Sequence, residues 1–252
     1  MSMIAPVPLI NYFSYLFDSA NWHFGGDSSI PDRIVQHLLY TMVALVISAA
    51  IALPLGLLIG HTNRGAAAAI GLGNLGRSLP TFGLVLLLVT FVGVGVVPVL
   101  LALIVLAIPP ILAQTYAGIT SVDRSAVDAA VGMGMRSTQV LFLAELPMAL
   151  PLIISGLRSA LLQVCATATI AAYAGLGGLG RLLIDGLNRN DYAQIFAGAV
   201  LVALLAIILD YSSATVERAV VSPGVRERRG RRLRRSTPTQ SPAEEEPVST
   251  SR

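Results

Sequence analysis

The residues with the plainest chemical promise are glycines. "GLGGLG" at 175–180 and "GLGNLG" at 71–76 both have the G-x-G-x-x-G spacing that lets a backbone approach the pyrophosphate of a dinucleotide. That chemistry requires a buried strand before the glycines and a soluble helix after them. Neither copy has this setting: the first follows an uncharged helical stretch, and the second lies in the alanine-rich run "AAAAIGLGNLG". The glycines therefore read as sites of close helix packing or of a tight re-entrant turn. Other chemistry is equally constrained. All 17 basic residues are arginine, so the chain has no P-loop lysine and no amine for Schiff-base work, and no ordinary route to hydrolysing ATP by itself. His23, His37 and His61 lack ligand spacing, and neither a metal nor a cofactor is expected. Cys165, the single cysteine, excludes an internal disulfide and reads as a small buried residue.

The elements that would position such residues are set by hydropathy. Charged residues make up 12% of the chain, against about 25% in soluble domains, and the mean hydropathy is +0.73. No charge falls between Arg33 and Arg64, Arg77 and Asp123, Arg158 and Arg181, or Asp191 and Asp210. A helix needs roughly 20 apolar residues to cross a bilayer, so each gap can span. The 45 residues from Ser78 to Val122 suit two crossings, with "VGVGVVP" at 92–98 as the turn. The expected fold is an all-α, polytopic transmembrane helical bundle of about five core spanning helices, or six. Spans are placed near 38–60, 78–95, 98–118, 151–173 and 192–213. Residues 66–76 can extend the second helix backwards, which puts Arg77 inside it and facing protein or water.

Three regions follow: an N-terminal segment (1–35) suited to the membrane interface through "NYFSYLFDSANWHF", a membrane domain (36–218), and an arginine-rich tail (219–252) expected to be disordered. Residues 226–252 hold eight arginines and four glutamates. Beside a membrane span, that basic run favours anionic lipid headgroups over nucleic acid. Five crossings put the ends on opposite sides. The arginine distribution then places the N-terminus outside and the C-terminus in the cytoplasm of a multi-pass cell-membrane protein.

One inner segment is too apolar for a loop: "TSVDRSAVDAAVGMGMRSTQVLFLAELPMALP", residues 120–151. Its alanines favour helix, with Ser121 or Asp123 as N-cap. Ala129, Ala130, Gly132 and Gly134 would keep the surface low for a partner's cleft, and Pro147 and Pro151 would break the chain and turn it into the membrane. Asp128-Ala129-Ala130, then Gly134, then Glu145-Leu146-Pro147 resembles the "EAA" motif of ABC-importer permeases, E-A-A-x-x-x-G followed after nine residues by I-x-L-P. Asp128 replaces the glutamate, and Ala144 stands where an aliphatic residue is expected. The flanking "GMGMRSTQVLFLAELPMALPLIISGLRSA" and "ATATIAAYAGLGGLGRLLIDGL" are similar to permeases that import osmoprotectants, with a methionine-importer-like membrane fold.

That resemblance implies a cytoplasmic coupling helix, within a loop at 120–150, that docks on ATPase subunits through Asp128, Ala129, Ala130, Gly134, Arg136, Glu145, Leu146 and Pro147. It also implies an extracytoplasmic substrate-binding protein, a second permease chain (the same or a sister), and a glycine betaine, choline, carnitine or proline cargo. ATP hydrolysis belongs to the separate subunit, so the chain is a transport component rather than an enzyme. Quaternary ammonium groups favour aromatic faces, which makes Tyr116 and Tyr173 the path candidates, with Gly175, Gly177, Gly178 and Gly180 in the outer loop. An amino-acid cargo is the alternative within this class. A secondary transporter acting alone is the alternative outside it, disfavoured by nearly charge-free spans and no inverted repeat.

Overall fold

The computed structural model describes residues 12–25, 29–78 and 80–220. The first long helix, α1, spans Ile30–Thr62. It starts at Ile30 rather than near residue 38 because its start is set by capping, not by hydropathy. The Ser29 hydroxyl accepts from the Asp32 N–H at 3.3 Å, proline occupies the first turn, and the Asp32 carboxylate complements the helix dipole. The boundary expected between residues 35 and 36 thus falls inside α1. The helix ends at Asn63 in the left-handed conformation. At about 1.5 Å per residue α1 is about 50 Å long, more than the ~30 Å hydrocarbon core requires.

The second span, expected near 78–95, is the short α3 (Thr81–Val92), and residues 66–76 do not extend it but belong to a separate helix, α2 (Ala66–Ser78). Pro80, which has no N–H, caps α3 from an extended conformation, so the two helices are not one rod. Arg77 lies in the last turn of α2. At twelve residues α3 is only about 18 Å long. Four helical segments among the described residues are long and apolar enough to cross a membrane: Ile30–Thr62, Val96–Thr120, Ser137–Ala174 and Tyr192–Ala219. The five expected spans thus resolve into four long ones and the short α3.

The centre of the bundle is α4 (Val96–Thr120), half of whose apolar window is buried. It is flanked by α1 and by α6 (Leu146–Thr167). Small residues set both distances. A Cβ on Gly56 would come within 2.7 Å of Thr115, one on Gly60 within 2.7 Å of Ile119, and one on Gly156 within 2.6 Å of Gln114. Gly56-x-x-x-Gly60 is thus a close-packing seam on α4. Between α4 and α6 lies α5 (Arg124–Gly132), followed by a turn at Ser137–Gln139 and a π-helical segment, Val140–Glu145.

The expected break at Pro147 and Pro151 does not occur. Pro147 follows directly on the π-helical segment, whose wider coil accommodates the missing N–H, and Pro151 lies inside a helix that continues through it. Beyond α6, a 3₁₀ segment (Ala168–Ala174) leads through the glycine loop to α7 (Gly180–Arg189) and α8 (Tyr192–Val220). The N-terminal aromatic segment leans on the start of α8, with ring centroids of Phe13 and Phe196 5.0 Å apart. Burial there, with the Asp191 carboxylate next in order, pushes the Tyr15 phenol above its ordinary value. The tail from residue 221 lies outside the described residues.

Candidate functional site

The segment from Asp123 to Pro147 is built as a short projecting helix on a tied base. The Asp123 carboxylate caps α5 by accepting from the Ser125 N–H at 3.0 Å and the Ser125 hydroxyl at 2.9 Å. The helix stops at Gly134, whose φ of +84° is the left-handed region that favours glycine. There the Gly134 N–H donates to the Val131 carbonyl at 2.9 Å and the Met135 N–H to the Ala130 carbonyl at 3.2 Å, a Schellman pair. Gly134 therefore works as a helix stop, not as a low point on the helix face.

Ala130 is buried, while Asp128, Ala129, Gly134, Arg136 and Pro147 are exposed and Leu146 is half-buried. Exposed apolar side chains surround them: Val131 (57%), Met133 (72%), Phe142 (55%) and Leu143 (65%). Val131 and Met133 stand at the end of α5, Phe142 and Leu143 lie in the Ser137–Ala174 span, and the exposed charges of the segment are Asp123, Arg124, Asp128 and Arg136. Glu145 stands apart from this surface. It is 7% exposed and turned inward, with Oε2 2.6 Å from Nδ1 of His61 at the end of α1. Nε2 of the same imidazole is 2.7 Å from the Ser137 hydroxyl. His61 was not singled out in the sequence, where no spacing connects it to residues 76 and 84 positions later.

At the opposite end of the bundle the glycine loop is folded onto α1. The Gly178 N–H donates to Gln36 Oε1 at 2.9 Å, and His37 Nε2 donates to the Cys165 carbonyl at 2.9 Å. Gly175 and Gly178 have φ of +78° and +80°. A Cβ on Gly177 would collide with Gln36, and one on Gly180 with the Thr169 carbonyl. Both uses expected of these glycines, turning and close packing, are present. Cys165 is fully buried.

Tyr173 is 55% exposed, stacks edge-on to Phe82 at 5.2 Å, and lines a mainly apolar cavity of about 250 Å³ with Thr169, Ile170, Leu183, Leu187 and Ile195. Tyr116 is half-buried on α4, one turn from its α5 end. The structure places the two tyrosines at opposite ends of the bundle and does not bring them together. Asp210, expected at the end of the last helix, lies ten residues before Val220. It is held by a bidentate pair with Arg158 of α6, Nε–Oδ1 2.6 Å and Nη2–Oδ2 2.7 Å.

A helical membrane bundle whose two central spans are joined by an exposed, capped helix defines a transport-system membrane component. The fold matches that of a chain in the inward-facing MetNI methionine ABC transporter, with a TM-score of 0.67 and 22% identity over 77% of this chain and 96% of that one. The chain belongs to the family of binding-protein-dependent transport system inner membrane components, whose model matches residues 30–222. Among its relatives is the glycine betaine/carnitine/choline transport system permease protein OpuCB of Bacillus subtilis, 36% identical over 75% of this chain and 88% of that protein. Another is the osmoprotectant import permease protein OsmW of Salmonella typhimurium, 32% identical over 84% of this chain and 98% of that one.

Proposed function

We propose that this chain is the membrane-spanning permease subunit of an ATP-driven importer for a compatible solute or quaternary amine such as glycine betaine, choline, carnitine or proline. The observation that carries the reading is α5, a capped helix whose exposed apolar end, Val131 and Met133, has no role in the chain's own core. Its occupant is the groove of an ATPase subunit in the cytoplasm, with Asp128 and Arg136 at the rim of the contact. Hydrolysis on that separate subunit moves α5, and the packed bundle converts the shift into alternating access. A second permease chain completes the path, and an extracytoplasmic binding protein delivers the solute. The relatives' names support the cargo class, and the glycine loop supplies the outer surface. The arginine tail contacts anionic headgroups from the cytoplasmic side, so the N-terminus lies outside.

The test is uptake of labelled glycine betaine into vesicles that hold this chain, a candidate ATPase and a candidate binding protein. ATP inside and binding protein outside should both be required. Uptake at full speed by vesicles holding this chain alone, or labelling of a Met133→Cys variant by an impermeant thiol reagent from outside the cell, would overturn the reading.

A further inference from the structure

We infer that His61 is the strap that makes the inner end of α1 part of the lever, so that force applied to α5 reaches α1 directly as well as α4 and α6. The proposal rests on the reading just given, and it names how that lever is connected. His61 stands in the last turn of α1, next to Gly60, which lies flat against Ile119 at the α5 end of α4. The last turn of α1 therefore touches the chain where it enters the α5 segment. The imidazole touches it again where it leaves, at Ser137 and at Glu145.

An imidazole can serve both partners at once. The carboxylate accepts from Nδ1–H, and Nε2 pairs with the hydroxyl, which can accept or donate. Glu145 is the last residue of the π-helical segment, and Ser137 begins the turn before it. One side chain thus pins both ends of a stretch of helix that also packs inward through Val140 and Leu141, and π segments often mark functional sites. The charge-assisted contact of 2.6 Å is 10–19% exposed at its two side chains, shielded enough to hold while α5 itself stays free. The order Ser–His–Glu is also that of an acyl-transfer relay. Here its hydroxyl is committed to holding a helix end.

Two measurements test the strap. The first needs neither ATPase nor solute: spin labels at Leu58 and Met133, both exposed, in the full chain with Cys165→Ser, in lipid nanodiscs. The wild-type pairing should give one narrow distance distribution, and His61→Ala should at least double its width. The second uses the complete transporter. His61→Ala should lower solute imported per ATP hydrolysed about tenfold, with a melting midpoint within a few degrees of wild type, and His61→Gln should recover at least half of it. Glu145→Ala combined with His61→Ala should be no worse than either alone. An unchanged distance distribution in His61→Ala, or parallel loss of uptake and hydrolysis, would overturn the strap. So would covalent labelling of Ser137 by a fluorophosphonate, which would assign the relay to acyl chemistry. A wild-type complex that imports nothing would instead count against the proposed function, and the distance measurement would still decide the strap.

Discussion

The two ends of α1 are fastened in different ways. At the glycine-loop end the partners are backbone groups, the Gly178 N–H and the Cys165 carbonyl, held by the half-buried Gln36 and by His37 at 0% exposure. At the α5 end the partners are side chains, Ser137 and Glu145, and the imidazole that holds them is partly open to water. A backbone partner cannot rotate away, and its loss leaves a buried polar group unpaired. A side-chain partner can be removed without disturbing the chain's path. The first arrangement makes a rigid corner, while the second makes a linkage whose members can be deleted singly. The contrast fits a protein that must keep one end shaped while the other is pushed.

The largest effects should therefore come from the rigid corner. Gly180→Val drives a branched side chain into the Thr169 carbonyl, a backbone atom that has nowhere to go. A loss of about 3 kcal/mol or more is expected, seen as failure to recover a monodisperse protein or as a collapsed melting midpoint in detergent. His37→Ala comes next. It empties a fully buried site and removes the bond to the Cys165 carbonyl, which together should cost about 2–4 kcal/mol. His61→Ala, at the other end, strands the Glu145 carboxylate, but the imidazole site is 19% exposed and water can enter it, so a smaller loss of about 1–2 kcal/mol is expected. Thermal melts of the two histidine variants side by side check the ranking. Equal losses would erase the distinction between corner and linkage.

Much of this was legible in the residues, and what was not has a physical cause. Runs without charge identified the spans because the cost of burying charge in hydrocarbon is paid residue by residue. Their ends escaped the same signal: α1 reaches back to Ile30 because Ser29 and Asp32 cap it, and α8 runs on beyond residue 213 to Val220. Pro80 separates α2 from α3, a break that hydropathy passed over, whereas Pro151 gave a false break because α6 tolerates it. The motif singled out Asp128 to Gly134, a stretch the structure folds as the second half of α5 and its stop. It could not say that Glu145 faces inward, since that depends on His61, a residue brought alongside by tertiary packing alone. Spacing likewise marks Gly134 only as a small residue, and it is the backbone angle that separates a helix stop from a smooth face.

That last distinction yields the smallest and sharpest pair of effects, both on α5. Gly134→Ala places a Cβ in the left-handed region and should cost about 1 kcal/mol. The loss should appear locally, as faster hydrogen exchange at the Gly134 and Met135 amides that close the Schellman pair. Gly132→Ala has no positive φ to strain and no neighbour within 4 Å of the new methyl. Inside a helix the exchange should stabilise by about 0.5–1 kcal/mol, so the melting midpoint should hold or rise slightly. If α5 seats in a partner's groove, the same methyl stands on the seating surface, and solute uptake by the assembled transporter should fall although the isolated chain is no less stable. The pair separates two uses of glycine two residues apart: residue 134 is needed by the chain itself, and residue 132 by whatever closes over it. Unchanged uptake in Gly132→Ala would mean that the partner does not close over the last turn of α5, and any contact on this face would be confined to Asp128, one turn earlier.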